Sequence, residues 1–108
     1  MSPPPPQLSF EQLRTLAQGV GFTGVDADTA AAIALAESGG NVLARGDGGS
    51  SFGLWQIHSP AWPQFSVNEL LTELGNANAA FFVFSKSGFK AWSTFNSGAY
   101  KAHLPKGV

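Results

Sequence analysis

Cysteine is absent from the 108 residues, which excludes a disulfide framework, a thiolate nucleophile and a cysteine-ligated zinc. Charge is scarce. Only 12% of residues are Asp, Glu, Lys or Arg, about half the usual share of a soluble domain. Six Lys and Arg against seven Asp and Glu give a net charge of −1. The basic footprint that nucleic acid demands is therefore missing, as is a polybasic membrane anchor. No apolar run approaches the roughly 20 residues that cross a bilayer. The N-terminal residues lack the basic and apolar regions of a secretory signal. His58 and His103 have no metal-ligand spacing, and neither a phosphate-cradling glycine loop nor a G-x-S-x-G elbow occurs. No metal, cofactor, nucleic-acid or membrane partner is expected.

What is present is apolar matter for one domain. Hydrophobic residues make up 44% of the chain and aromatics 12%, which argues against disorder for most of the length. Pro3 to Pro6 form a stiff polyproline stretch. Residues 1–7 therefore read as a linker or tail, and residues 8–108 as the folded domain. Ser9 with Gln12 forms a capping box, and Leu8 and Leu13 can close a hydrophobic staple over a helix that runs to Gly19 and Gly21. A second helix starts near Asp26 or Asp28, capped by one of them, and runs through the alanine-rich stretch to Ser38, where Gly39 and Gly40 stop it. Residues 41–51 read as a loop or a short hairpin, and Phe52 to His58 as an extended stretch. Ser66 with Glu69 caps a helix reaching Gly75. Asn76 or Asn78 begins another, whose Phe81–Phe84 run reads as a buried central helix. A short helix over Trp92–Tyr100 comes last. The sum is a compact, mainly α domain with one glycine-rich loop or small β excursion.

Few side chains can do acid–base work. Glu11 and Glu69 fall in helix first turns, and Glu73 reads as a solvated helix residue. Glu37 has no such explanation. It ends an apolar helix, where neighbours and the helix dipole both disfavour its charged form, and a carboxylic acid still protonated near neutral pH suits a general acid. The alternative is an exposed helix-end residue. Asp47, between Gly46 and Gly48, is either a turn aspartate or a second carboxylate facing Glu37. Trp55, Trp62, Trp92 and Tyr100 lie outside the Phe81–Phe84 run. Such aromatic faces in a groove with Gln56, His58 and Asn96 suit an uncharged, polyhydroxylated ligand such as a sugar chain. For Trp92, core packing is the simpler reading.

Three motifs in order resemble those of the lytic transglycosylase and goose-type lysozyme superfamily. Ala36-Glu37-Ser38-Gly39-Gly40-Asn41 resembles its helix-end Glu-Ser motif, and Phe52-Gly53-Leu54-Trp55-Gln56-Ile57 resembles Gly-Leu-Met-Gln with Trp55 for Met. Phe95-Asn96-Ser97-Gly98 resembles Tyr-Asn-Ala-Gly. The resemblance implies a lysozyme-like fold that cleaves the β-1,4 bond between N-acetylmuramic acid and N-acetylglucosamine in peptidoglycan. Glu37 matches the catalytic acid and Ser38 the serine that supports it. Gly53 and Gln56 match cleft-lining residues, and Asn96 matches the asparagine near the acid. Trp55, His58 and Tyr100, from the aromatic and polar groove, complete the expected substrate-binding set.

Asp47 stands where goose-type members carry an aspartate that helps hold the attacking water, whereas their second aspartate is replaced by His58. Hydrolysis is the implied reaction. The alternatives are a non-hydrolytic transglycosylase giving 1,6-anhydro ends, and an inactive cell-wall-binding module. Trp92 to Leu104 also resembles lysozyme-like domains of phage tail and other wall-penetrating proteins. That implies a virion-associated or extracellular module tethered to a larger protein.

Overall fold

A computed structural model describes residues 7–106. The expected linker lies outside the described residues apart from Gln7, which forms an isolated antiparallel bridge with Asn41. The first helix, α1 (Phe10–Val20), begins at a complete capping box: Ser9 Oγ accepts the Gln12 N–H at 3.2 Å, and Gln12 Oε1 accepts the Ser9 N–H at 2.9 Å. Helix α2 (Gly24–Ser38) starts earlier than the aspartates suggest. Thr23 is its N-cap, without a side-chain bond, so Asp26 and Asp28 lie within the helix and cap nothing. Asp28 pairs instead with Arg14 of α1. Alanines along α2 let α1 and the C-terminal segment approach closely, because helix spacing is set by side-chain bulk at the contact. Ala27, Ala30 to Ala32, Ile33 and Ala34 are fully buried.

This corrects the expectation of a central Phe81–Phe84 helix. Helix α4 (Glu73–Ser87) turns its small face inward through Asn76, Ala77, Ala79, Ala80 and Val83. Its phenylalanines sit at the rim: Phe81 and Phe84 pack on Phe22, with centroids 5.1 and 5.0 Å away, and Phe82 is 37% exposed. Ahead of it, α3 (Val67–Leu70) stops short of Gly75 because Thr72 caps α4, its Oγ1 accepting the Gly75 N–H at 3.0 Å.

The glycine-rich excursion is a three-stranded antiparallel meander of β1 (Arg45–Gly46), β2 (Ser51–Phe52) and β3 (Ile57–His58). The stretch expected to be extended is therefore broken by a turn over residues 53–56. The last expected helix is also in two pieces. Helix α5 (Ser93–Asn96) and a 3-10 turn over Ala99–His103 are separated by Gly98 at φ 82°. The domain is mainly helical, with the small sheet following the end of α2.

Candidate active site

Glu37 lies in the last turn of α2, a turn without a basic residue. Its carboxyl is half-buried, and Oε2 accepts a hydrogen bond of 2.8 Å from the Thr94 hydroxyl on α5. Burial holds this carboxyl above the ordinary carboxylate range. The Thr94 bond pulls it back and the negative charge of Asp47 pushes it up again. The negative end of the α2 dipole acts in the same direction as burial. A group so placed holds its proton to higher pH than an ordinary glutamate, the direction that suits a general acid.

Asp47 sits in the turn joining β1 to β2 and takes a positive φ of 52°. It is exposed, yet one oxygen is fixed: Ser51 Oγ donates to Oδ2 at 2.6 Å. Ser51 is itself buried at 1% exposure, and its oxygen lies 3.3 Å from His58 Nδ1. Register places the two side by side, since Ser51 pairs with His58 across β2 and β3.

The turn between these strands is built by Asn76 of α4. Fully buried, its Nδ2 donates to the carbonyls of Phe52 and Leu70, both at 2.8 Å, while Oδ1 accepts the Trp55 N–H at 2.8 Å. Gly53 has a φ of 79°, and a Cβ there would collide with the Leu70 carbonyl and the Asn76 amide. Gln56, also at positive φ (48°), donates through Nε2 to the carbonyls of Ala44 and Gly53, at 3.2 and 2.9 Å. Its amide hydrogens thus lock the loop, leaving only Oε1 for another partner.

Trp55 is corrected from a groove aromatic to a core residue. At 1% exposure its ring packs behind the turn, and Nε1 donates to the Ala30 carbonyl of α2 at 2.9 Å. Trp92 is likewise buried, as its core reading anticipates, and donates to the Trp55 carbonyl at 2.9 Å. These two bonds tie α2, the turn and the approach to α5 into one unit. A pocket does open beside it, lined by Gln56, Ile57, His58, Val83 and Ala91, with Trp62 and an edge of Trp92. Glu37 is not in that lining. The Trp92–Thr94 segment joins the two places, touching the pocket at Trp92 and the carboxyl at Thr94.

The remaining site residues divide unevenly. Ser38 Oγ donates to the Ala34 carbonyl at 2.9 Å and accepts the Gly40 N–H at 3.2 Å, so it secures the helix end. Asn96 donates to the Lys90 carbonyl at 2.9 Å, and the hydroxyl reaching Glu37 from that helix belongs to Thr94. Tyr100 stacks on Phe95, with centroids 5.1 Å apart. Thr94 and Ser51 were not singled out by the sequence, and Asn76 was read only as a helix start, although Thr72 caps α4. Only Asn76 carried a signal, as a polar residue amid Ala77, Ala79 and Ala80.

No curated protein and no solved structure matches the chain significantly. Residues 14–94 do match the family model described as the lysozyme-like domain, a span holding Glu37, Asp47, the whole sheet and Thr94. The protein is thus a member of the lysozyme-like domain family, whose members act on peptidoglycan as glycosidases or transglycosylases.

Proposed function

We propose that this domain is a muramidase that hydrolyses the β-1,4 bond between N-acetylmuramic acid and N-acetylglucosamine. Glu37 gives its proton to the bridging oxygen as the bond to the sugar's anomeric carbon breaks. A water adds to that carbon, and its proton passes to Asp47. The observation carrying this reading is the pairing of two unequal carboxyls. Glu37 is half-buried and held toward its neutral form, and exposed Asp47 is close enough for its charge to act on it. A carboxyl held toward its neutral form suits the acid role, and an exposed carboxyl beside it suits the base role. The Trp62-lined pocket offers an aromatic face for a neighbouring sugar.

Purified protein should clear a peptidoglycan suspension and release new reducing ends. Sedimentation with walls without new ends would instead identify a binding module. A second reading is a transglycosylase, in which the sugar's own 6-hydroxyl replaces water. It draws on the exposure of Asp47, whose influence on Glu37 is smaller than that of burial. The resemblance of the C-terminal segment favours delivery to the wall from outside, as a module of a virion or another wall-penetrating protein.

A further inference from the structure

The lysozyme-like reading gives Ser51 no task and leaves His58 where a second carboxylate is absent. Their geometry supplies one. An ionised Asp47 only accepts hydrogen bonds, so the 2.6 Å contact to Oδ2 consumes the single hydroxyl proton of Ser51. The 3.3 Å contact between Ser51 Oγ and His58 Nδ1 then requires a hydrogen on Nδ1. That hydrogen is present in the Nδ1–H tautomer of the neutral ring and in the charged ring, so the contact does not depend on which of the two forms is populated. The chain of donors runs one way, from His58 through Ser51 to Asp47.

Two further features show that Asp47 needs such support. Its φ of 52° lies in the left-handed region, which aspartate enters more readily than most residues but which remains uncommon outside glycine. Its flanking glycines leave the turn without side-chain packing, and the carboxylate itself is exposed. Ser51, by contrast, is 1% exposed on the central strand of the meander, a buried point from which to hold an exposed group. Among the described residues no hydrogen bond reaches the other carboxylate oxygen, Oδ1, which keeps its capacity to accept one.

We propose that Ser51 and His58 are positioning residues for hydrolysis: His58 orients the Ser51 hydroxyl, and Ser51 fixes Asp47 so that Oδ1 accepts the proton of the attacking water. This rests on the muramidase reading. In effect, a serine–histidine pair on adjacent strands does by orientation what a second acid would do by charge.

The test is kcat and KM on soluble peptidoglycan fragments for Ser51→Ala, His58→Ala, His58→Asn, His58→Gln, Asp47→Asn and the double variant Ser51→Ala/Asp47→Asn, with folding checked by circular dichroism. Removing a hydrogen bond to a charged group should lower kcat roughly 10- to 100-fold in Ser51→Ala and His58→Ala, with KM changed by less than about threefold. Asparagine places an N–H near the position of Nδ1 and should recover most of the kcat lost in His58→Ala. Glutamine places its N–H farther out and should not. In the Asp47→Asn background, Ser51→Ala should cost nothing more, because its only task has gone. If Asp47→Asn abolishes hydrolysis while Ser51→Ala and His58→Ala keep parental kcat, the positioning role is overturned and the muramidase reading stands. If Asp47→Asn itself turns over like the parent, the hydrolytic reading falls first. Equal loss in His58→Asn and His58→Ala, or full additivity in the double variant, would also overturn the proposal.

Discussion

Replacing Glu37 by glutamine should harm catalysis and help stability, and the opposite signs make it a demanding test. Glutamine keeps the shape of the side chain and an oxygen for the Thr94 hydroxyl, now 2.8 Å from Oε2. What it removes is a transferable proton. Loss of a positioned general acid costs roughly 10²–10⁴ in rate, or about 3–5 kcal/mol of barrier. Stability follows from the direction of the acidity shift. Burial raises the folded-state pKa of Glu37 above its unfolded value, so folding favours the neutral carboxyl. The resulting penalty is absent below the unfolded pKa, grows as pH rises through the interval between the two, and is complete above the folded pKa. Glutamine is neutral throughout. The variant should therefore melt above the parent near neutrality, the gap closing below about pH 4, where glutamate is protonated even in the unfolded chain. In a domain of this size ~1 kcal/mol moves Tm by about 4–8 °C, so even a fraction of that is readable. The assays are clearing of a peptidoglycan suspension and thermal melts by circular dichroism across that pH range. A variant that clears walls within about tenfold of the parent, or melts below it at neutral pH, would refute the reasoning.

Thr94→Val removes the bond that favours ionised Glu37, so the alkaline limb of the pH–rate profile should move to higher pH, at a cost of about 0.5–1.5 kcal/mol in stability by denaturant titration. Asp47→Asn should move the same limb the other way, because it deletes the charge that raises Glu37, while lowering the hydrolytic rate by ~10²–10⁴. Limbs moving in the same direction would contradict the electrostatic description. Gly53→Ala should destabilise by more than about 1–3 kcal/mol, since strain at positive φ adds to a collision with the Leu70 carbonyl; a neutral effect on the melting midpoint would argue against this turn. Asn76→Ala removes the side-chain partner of the Trp55 N–H and the Leu70 carbonyl in the interior, and one of the bonds to the Phe52 carbonyl. At about 1–3 kcal/mol per orphaned group it should prevent stable folding, and a variant melting near the parent would contradict that role.

Local signals in the sequence announced their elements where the chemistry was local. The Ser9–Gln12 and Ser66–Glu69 boxes begin helices at those positions because both partners lie within one turn. Gly39 and Gly40 end α2, leaving Glu37 at its apolar end, since glycine readily takes the left-handed conformation that terminates a helix. Packing was less legible. Alanine and phenylalanine both read as apolar, but only the size of the gap between helices decides that alanine lines the centre while Phe82 remains at the surface. Trp55 read as a groove residue because a single sequence does not reveal that Asn76 and Ala30, both distant in the chain, would bind its backbone and its indole. Thr94 and Ser51 were invisible for the same reason. A hydroxyl has no periodic signature, and each acquires its partner only when an α-helix end or a two-residue strand brings a carboxyl within reach.

In the proposed reaction water, not the sugar's own hydroxyl, completes a bond cleavage begun by the Glu37 proton. Digestion of peptidoglycan in water enriched in heavy oxygen, followed by mass spectrometry of the fragments, tests it most directly. One heavy oxygen is expected at each new reducing muramic acid end, and no new ends with Glu37→Gln. Unlabelled 1,6-anhydro ends, or labelled ends still forming in the Glu37→Gln variant, would contradict it.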